Sequence, residues 1–327
     1  MHATPVPYIS FTDMCHYMDE KGIKGEAFVF FMDYKASQGW IGTLDEAKSL
    51  GIAFSIAEKT LKPKAIPDFH FEKYPILPET YGKKFRAVKQ ALHRGDSFLV
   101  NLTQATPINC SLTLEEIFES AQATYKLYVP GQFVVFSPET FIKIHKTQIS
   151  SYPMKGTLSV KNNSSPAALQ SNAKEQAEHA TIVDLIRNDV SQVAFPIQVE
   201  KYKYIDQIKS HEGDIWQMSS KISGELLPEY QGKLGSILQK LVPAGSISGA
   251  PKPSTLRIIE EIEGYERGFY TGIMGQFDGQ ELNTGVMIRF IEQQHDKLVF
   301  KSGGGITVFS EEETEYLELI QKVYLPF

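Results

Sequence analysis

The residue types most able to do chemistry fall into short groups far apart in the chain. Lys155 sits in Pro153-Met154-Lys155-Gly156-Thr157, between an extended segment and a turn. Desolvation or a nearby charge lowers the pKa of a lysine so placed and turns its amine into a nucleophile or base; an exposed loop lysine is the bland alternative. From Asn172 the chain reads as a capped helix, with Glu175 at the capping-box position. At about 100° per residue, Glu175, Glu178 and Asp189 fall in the sector of Ile182, Leu185 and Ile186. A carboxylate taken out of water is costly unless paired or metal-bound, so this face asks for a cation; otherwise Glu175 only caps and Glu178 pairs with an arginine. Near the C-terminus Ser310 and Glu313 repeat the capping spacing, and Tyr316, Leu319, Ile320 and Val323 make the apolar stripe. Glu315, Glu318 and Lys322 share another face, which alone reads as a solvated, salt-bridged surface. Two Glu-x-x-Glu pairs on separate helices also suit a hard cation, since magnesium takes oxygen ligands and keeps waters for its substrate.

Glycines and an arginine supply the complementary chemistry. Gly245-Ser246-Ile247-Ser248-Gly249-Ala250-Pro251-Lys252 precedes a helix, yet it lacks the Gly-Lys-Ser/Thr ending of a Walker A loop. Gly303-Gly304-Gly305 follows a strand and stands just before the C-terminal helix, where glycines allow close backbone approach and N–H groups can hold an anion. Arg289 lies inside a strand-like run; a cation there needs an anion, and a carboxylate is its best bidentate match.

These groups need a scaffold, and the chain has the material for one. Strand-like runs cover 27–32, 97–102, 132–137, 141–144, 272–277, 284–291 and 298–302, and helix-like segments cover 81–94, 113–125, 173–188, 234–241, 254–263 and 311–323. Strands cluster toward both ends with short turns, so antiparallel sheets with helices outside are expected, in one compact unit. The composition, 42% hydrophobic and 11% aromatic over 327 residues, supports a real core. The 33 basic against 39 acidic residues leave a net charge of −6, which offers no basic footprint for nucleic acid. The two cysteines, Cys15 and Cys110, form neither a disulfide framework nor a zinc motif. No run approaches a membrane span and the N-terminus does not read as a signal peptide, so the cytoplasm is the default location.

Taken together and in this order, the segments resemble the chorismate-utilising enzymes, and within them the aminodeoxychorismate synthases. The stretches that carry the resemblance are Ser137-Pro138-Glu139, Pro153 to Thr157, Glu175 to Asp189, Gly245 to Lys252, Tyr270 to Gly275, Ile288-Arg289 and Gly303 to Lys322. The resemblance implies an α+β fold of two large, mainly antiparallel sheets packed on each other with helices outside. It implies one catalytic unit over 1–327, in which 1–80 is a shortened N-terminal part. It also implies a substrate, chorismate, whose ring carboxylate is held through magnesium. Carried over by motif, Glu178 and Glu318 become metal ligands, with Glu175 and Glu315 assisting through water. Tyr270, Arg289, Gly303 and Gly305 hold the enolpyruvyl carboxylate, Ser246 belongs to the substrate-binding loop, and Lys322, Gly156 and Thr157 stand near the ring carboxylate.

Lysine at position 155 is what separates this chain from anthranilate synthases, which usually carry alanine there. The family mechanism implies attack by Lys155 on ring carbon 2 while Glu139, as general acid, protonates the departing hydroxyl on carbon 4. Ammonia then adds at carbon 4 and expels the lysine. Such a scheme needs a neutral amine and a protonated carboxyl at one pH. Gln217 occupies the register of a histidine linked to pyruvate elimination in anthranilate synthases, a step this reaction omits. Neither Met14-Cys15-His16 nor Asn109-Cys110-Ser111 is a Gly-x-Cys-x-Gly nucleophile elbow. A separate glutamine amidotransferase component is therefore expected to supply ammonia. No lyase segment follows Phe327, so a further enzyme is expected to complete 4-aminobenzoate. Anthranilate synthase, isochorismate synthase and a non-catalytic amidotransferase-binding subunit are the competing readings.

Overall fold

Short, almost continuously apolar strands such as Phe28–Met32 and Phe133–Ser137, buried on both faces, build two antiparallel sheets with a shared core. The computed structural model describes residues 5–56, 68–159, 173–208 and 215–327, with side chains described except at 155–159, 173–175, 206–208 and 215. The first sheet has ten strands in the spatial order Ile9–Ser10, Gln38–Gly42, Phe28–Met32, Ile273–Phe277, Glu281–Val286, Thr140–His145, Gln148–Ser151, Ile215–Leu226 and Met154–Ser159, with Ala194–Ile208 also pairing Ile215–Leu226. The second has eight, in the order Gly249–Ala250, Leu99–Cys110, Lys297–Ile306, Phe290–Gln294, Phe133–Ser137, Tyr125–Val129 and Ala53–Ile56, with Phe71–Lys73 on Leu99–Cys110.

The period of two along each strand decides which face each side chain serves. Val29 and Phe31 turn inward to meet Phe133 and Val135 of the other sheet, and Phe31 and Phe133 lie edge to face at 5.7 Å. Their neighbours Phe28, Phe30 and Met32 turn outward, against Met14, Met18, Ile237 and Leu238 of helices Phe11–Lys24 and Leu234–Leu241. On the second sheet, Val134 and Phe136 turn outward onto Ile117 of helix Leu114–Ser120. Helices Pro78–His93, Lys252–Glu263 and Glu312–Gln321 cover the rest of that outer face through Phe85, Val88, Ile258 and Leu319, which pack on Val100 and Ile306. The expected fold, two packed antiparallel sheets with helices outside, is the observed one. Among the described residues no helix is long and apolar enough to cross a membrane.

Three local expectations change. The run 284–291 is not one strand: Glu281–Val286 belongs to the first sheet and Phe290–Gln294 to the second, with Arg289 left-handed between them at φ 54°. The segment 113–125 is helical only over Leu114–Ser120, opened by a Thr113/Glu116 capping box and ended at the extended Ala121, and Tyr125 already starts a strand. Ser310 does not cap the last helix, because its hydroxyl accepts the Thr307 N–H (3.2 Å) and Glu311 takes the N-cap position. Asn172 lies outside the described residues.

Candidate functional site

The break at Arg289 has a twin. Phe133–Ser137 ends in the second sheet, Thr140–His145 starts in the first, and Pro138 and Glu139 bridge them. The two crossings are neighbours, since the strands on either side of them pair in both sheets. They are stitched by Phe136 N–H donating to Arg289 O (3.1 Å) and Val286 N–H donating to Glu139 O (3.0 Å). A strand that leaves its sheet stops burying alternate side chains, so Glu139 and Arg289 remain half-buried at the junction rather than lost in the core.

Glu139 accepts a hydrogen bond from the Ser246 hydroxyl, which a short 3₁₀ turn, Gly245–Ile247, presents to it. A cavity of about 20 Å³ adjoins both, lined further by Ser151, Ile186 and Asp189, and space of that size admits one water molecule. Tyr270 is 3% exposed, and its ring lies 5.9 Å from Phe290. Burial pushes its phenol well above the usual range; Arg267 and, less, Arg289 pull the other way, while Glu263 and, less, Glu139 add to the rise, so Tyr270, Arg289 and Glu139 share one electrostatic neighbourhood. The Arg289 guanidinium stacks on Tyr324 at 5.3 Å and its Nε donates to the Tyr324 hydroxyl (3.3 Å). Among the described residues no carboxylate pairs with Arg289. Tyr324 escaped the sequence reading; the only signal was an aromatic just beyond the helix that carries Glu318.

Gly303-Gly304-Gly305 lies within strand Lys297–Ile306, not after it, opposite Thr103, Leu102 and Asn101. The close approach these glycines permit is specific. A methyl group on Gly303 would stand 2.6 Å from Thr103 Cγ2, whereas one on Gly304 would meet Lys322 Nζ at 3.5 Å, Glu315 Oε2 at 3.6 Å and Glu318 Oε1 at 3.8 Å. Gly304 therefore faces both carboxylates of helix Glu312–Gln321. Glu315 is 4% exposed, so this face is not the solvated surface that its polarity suggests. Lys322 Nζ lies 2.6 Å from Glu318 and donates to Gly303 O (2.9 Å).

The other carboxylate helix is Ala173–Val190, on the first sheet. Glu178 is 7% exposed there, and its neighbour His179 is fully buried with Nε2 2.7 Å from the Ser220 hydroxyl. Asp189 is buried too, but the cation it asks for is Lys252 of the glycine loop, at 2.8 Å. Burial raises the Asp189 carboxyl and Lys252 opposes that rise. The side chains of Glu175, Lys155, Gly156 and Thr157 lie outside the described residues. The backbone register is defined: Lys155 pairs with Met218 and Thr157 with Gln217, so a bulge falls at Gly156. Bulges re-aim a strand and recur beside active sites.

No three His, Cys, Asp or Glu side chains among the described residues stand together as a metal cage. The donor chemistry nonetheless suits a hard cation, because Glu178 and Glu315 are withdrawn carboxylates and every candidate ligand is an oxygen.

Comparison with known proteins defines the class. Residues 12–326 match the chorismate binding enzyme family, and the chain belongs to it. An "Uncharacterized PabA-like protein" of Haemophilus influenzae is 46% identical over 319 residues, covering 96% of this chain and 97% of that one. Aminodeoxychorismate synthase component 1 of Escherichia coli K12 is 32% identical over 261 residues; the match covers 75% of this chain but only 56% of that protein. The menaquinone-specific isochorismate synthase of Escherichia coli shares the fold, with a TM-score of 0.73 at 14% identity over 97% of this chain and 82% of that one.

Proposed function

We propose that this protein is an aminodeoxychorismate synthase component I, which aminates chorismate at ring carbon 4 to give 4-amino-4-deoxychorismate on the way to 4-aminobenzoate and folate. The observation that carries the proposal is Lys155 on a bulged strand opposite Met218 and Gln217, in a chain where Glu139 and Arg289 stand at two neighbouring sheet crossings. The lysine amine attacks carbon 2, the ring double bonds shift, and the carbon 4 hydroxyl departs as water with a proton from Glu139. Ammonia then adds at carbon 4 and passes its extra proton to the Glu139 carboxylate, the double bonds return, and Lys155 leaves with its electron pair restored. Chorismate and ammonia thus become product and water.

The remaining side chains bind and orient. Arg289 and Tyr270, with the backbone at Gly303 and Gly305, hold the enolpyruvyl carboxylate; Lys322, Gly156 and Thr157 stand by the ring carboxylate. Ser246 donates to Glu139 and fixes the acid where the leaving hydroxyl will be. Glu178 and Glu318, with Glu175 and Glu315 behind them, would hold magnesium, which would neutralise the ring carboxylate and help a dianionic substrate enter an acidic protein. Ammonia comes from a glutamine amidotransferase partner or from solution. The Lys155→Ala variant tests the lysine route: loss of amination with chorismate binding retained is expected, and amination at the wild-type rate would overturn it.

A further inference from the structure

Arg267 lies outside the groups assigned above, yet its guanidinium, 3% exposed, ties together three of the segments that present them. All five of its N–H donors are used. Nε donates to Glu263 Oε2 (2.8 Å) and Nη2 to Glu263 Oε1 (2.6 Å), a bidentate pair at the end of helix Lys252–Glu263. Nη1 donates to Ile247 O (2.8 Å), one residue after Ser246, and to the Thr271 hydroxyl (3.3 Å), one residue after Tyr270. Nη2 also donates to Asn101 O (2.7 Å), and Asn101 stands opposite Gly305 in the strand register. Glu263 extends the reach: its Oε1 accepts from Thr103 N–H and from the Thr103 hydroxyl, both at 2.8 Å, and Thr103 stands opposite Gly303. The Tyr34 ring covers the guanidinium at 4.4 Å.

A buried ion pair alone is poor evidence of purpose, since apolar replacements often stabilise as well. Here three of the five donors reach outside the pair, to the Ser246 turn, to the residue after Tyr270 and to the strand behind the glycines. Thr271 also sits in the left-handed region at φ 63°, held by its N–H on Met287 O (2.8 Å). Backbone held in such a conformation must be over-determined by its surroundings.

We propose that Arg267 is a positioning residue that sets the Ser246 turn against Glu139 and holds Tyr270 and the glycine strand in register with it. The inference rests on the proposed roles of Ser246 and Glu139. Its test is steady-state kinetics of chorismate amination in Arg267→Lys, Ser246→Ala and the double variant. Lysine keeps the charge but loses the fork. The expected result for Arg267→Lys is a fall in kcat of about 10–100-fold, the scale of a misplacement near the chemistry, and the double variant should fall no further than the worse single one. Asp19→Asn, which weakens the contact of Asp19 with Ser236 between helices Phe11–Lys24 and Leu234–Leu241, should lower thermal stability without changing kcat. Arg267→Lys with lowered stability but wild-type kcat, or losses that multiply in the double variant, would overturn the proposal. Should Arg267→Lys not fold, Thr103→Val, which keeps volume and removes one hydroxyl from Glu263, carries the same comparison with a smaller drop. The two failures are distinct: a Ser246→Ala enzyme with unchanged kcat removes the underlying reading, whereas an effect of Ser246→Ala without one from Arg267→Lys or Thr103→Val removes this inference alone.

Discussion

Arg289 combines three properties that rarely coincide: a left-handed backbone at φ 54°, a half-buried cationic head, and no carboxylate partner among the described residues. A non-glycine residue there costs on the order of 1–3 kcal/mol, which the two crossing hydrogen bonds help to sustain. Arg289→Lys keeps the charge but cannot grip a carboxylate with two parallel bonds. It should raise KM for chorismate about 10–100-fold, as expected when a charged hydrogen bond of about 1.5–3 kcal/mol is lost. An unchanged KM would remove Arg289 from the substrate site. The sequence showed that Arg289 needed an anion, because a lone arginine among apolar strand residues is visible in one dimension. It did not show the sheet crossing, since both halves of 284–291 are equally strand-like and only three-dimensional pairing divides them. For Asp189 the need for a cation was legible, but its identity was not; Lys252 is far away in the sequence and meets it only through the fold.

At the scale of elements, helix Ala173–Val190 is fastened by that pair. Lys252→Met should destabilise the fold by about 3 kcal/mol at neutral pH, because an uncompensated buried charge remains. The Asp189 carboxyl is already raised by burial in the folded state. The penalty is therefore fully present above its folded pKa and is lost as pH falls below the unfolded value. Urea unfolding at pH 7 and pH 4 checks this; an equal deficit at both pH values would show that Asp189 is not the cause. Strand Lys297–Ile306 offers a second test. Gly304→Ala meets only ordinary contacts and should fold normally, yet its methyl would fill the space beside the carboxylates of Glu315 and Glu318 that a hydrated cation needs and weaken magnesium binding in calorimetry. Gly303→Ala would press on Thr103 and Leu102 and should destabilise the protein instead. Tight magnesium binding by Gly304→Ala would argue against that helix as a metal site. Helix Leu234–Leu241 was legible to the residue from its apolar period, whereas the buried state of Glu315 was not, because a Glu-Glu-Lys face has the same pattern whether solvent or a glycine strand lies opposite.

At the scale of the molecule, the two-sheet architecture was readable from the order of strands and helices together with the motif resemblance, and the inward-facing core confirms it. Depth within that architecture separates the cysteines. Burial pushes the Cys15 thiol up to about 12 and raises the half-buried Cys110 thiol as well. At pH 8 a thiol reagent should modify Cys110 slowly and reach Cys15 only through unfolding; equal rates would mean that the helix Phe11–Lys24 does not stay docked. What the whole assembly makes is answered directly by purified protein incubated with chorismate, magnesium and ¹⁵N-labelled ammonia, followed by chromatography and NMR of the product. The expected product is 4-amino-4-deoxychorismate with the label bonded to carbon 4 and no pyruvate released; release of pyruvate with an aromatic amine, or hydration that proceeds without ammonia, would contradict the proposed function.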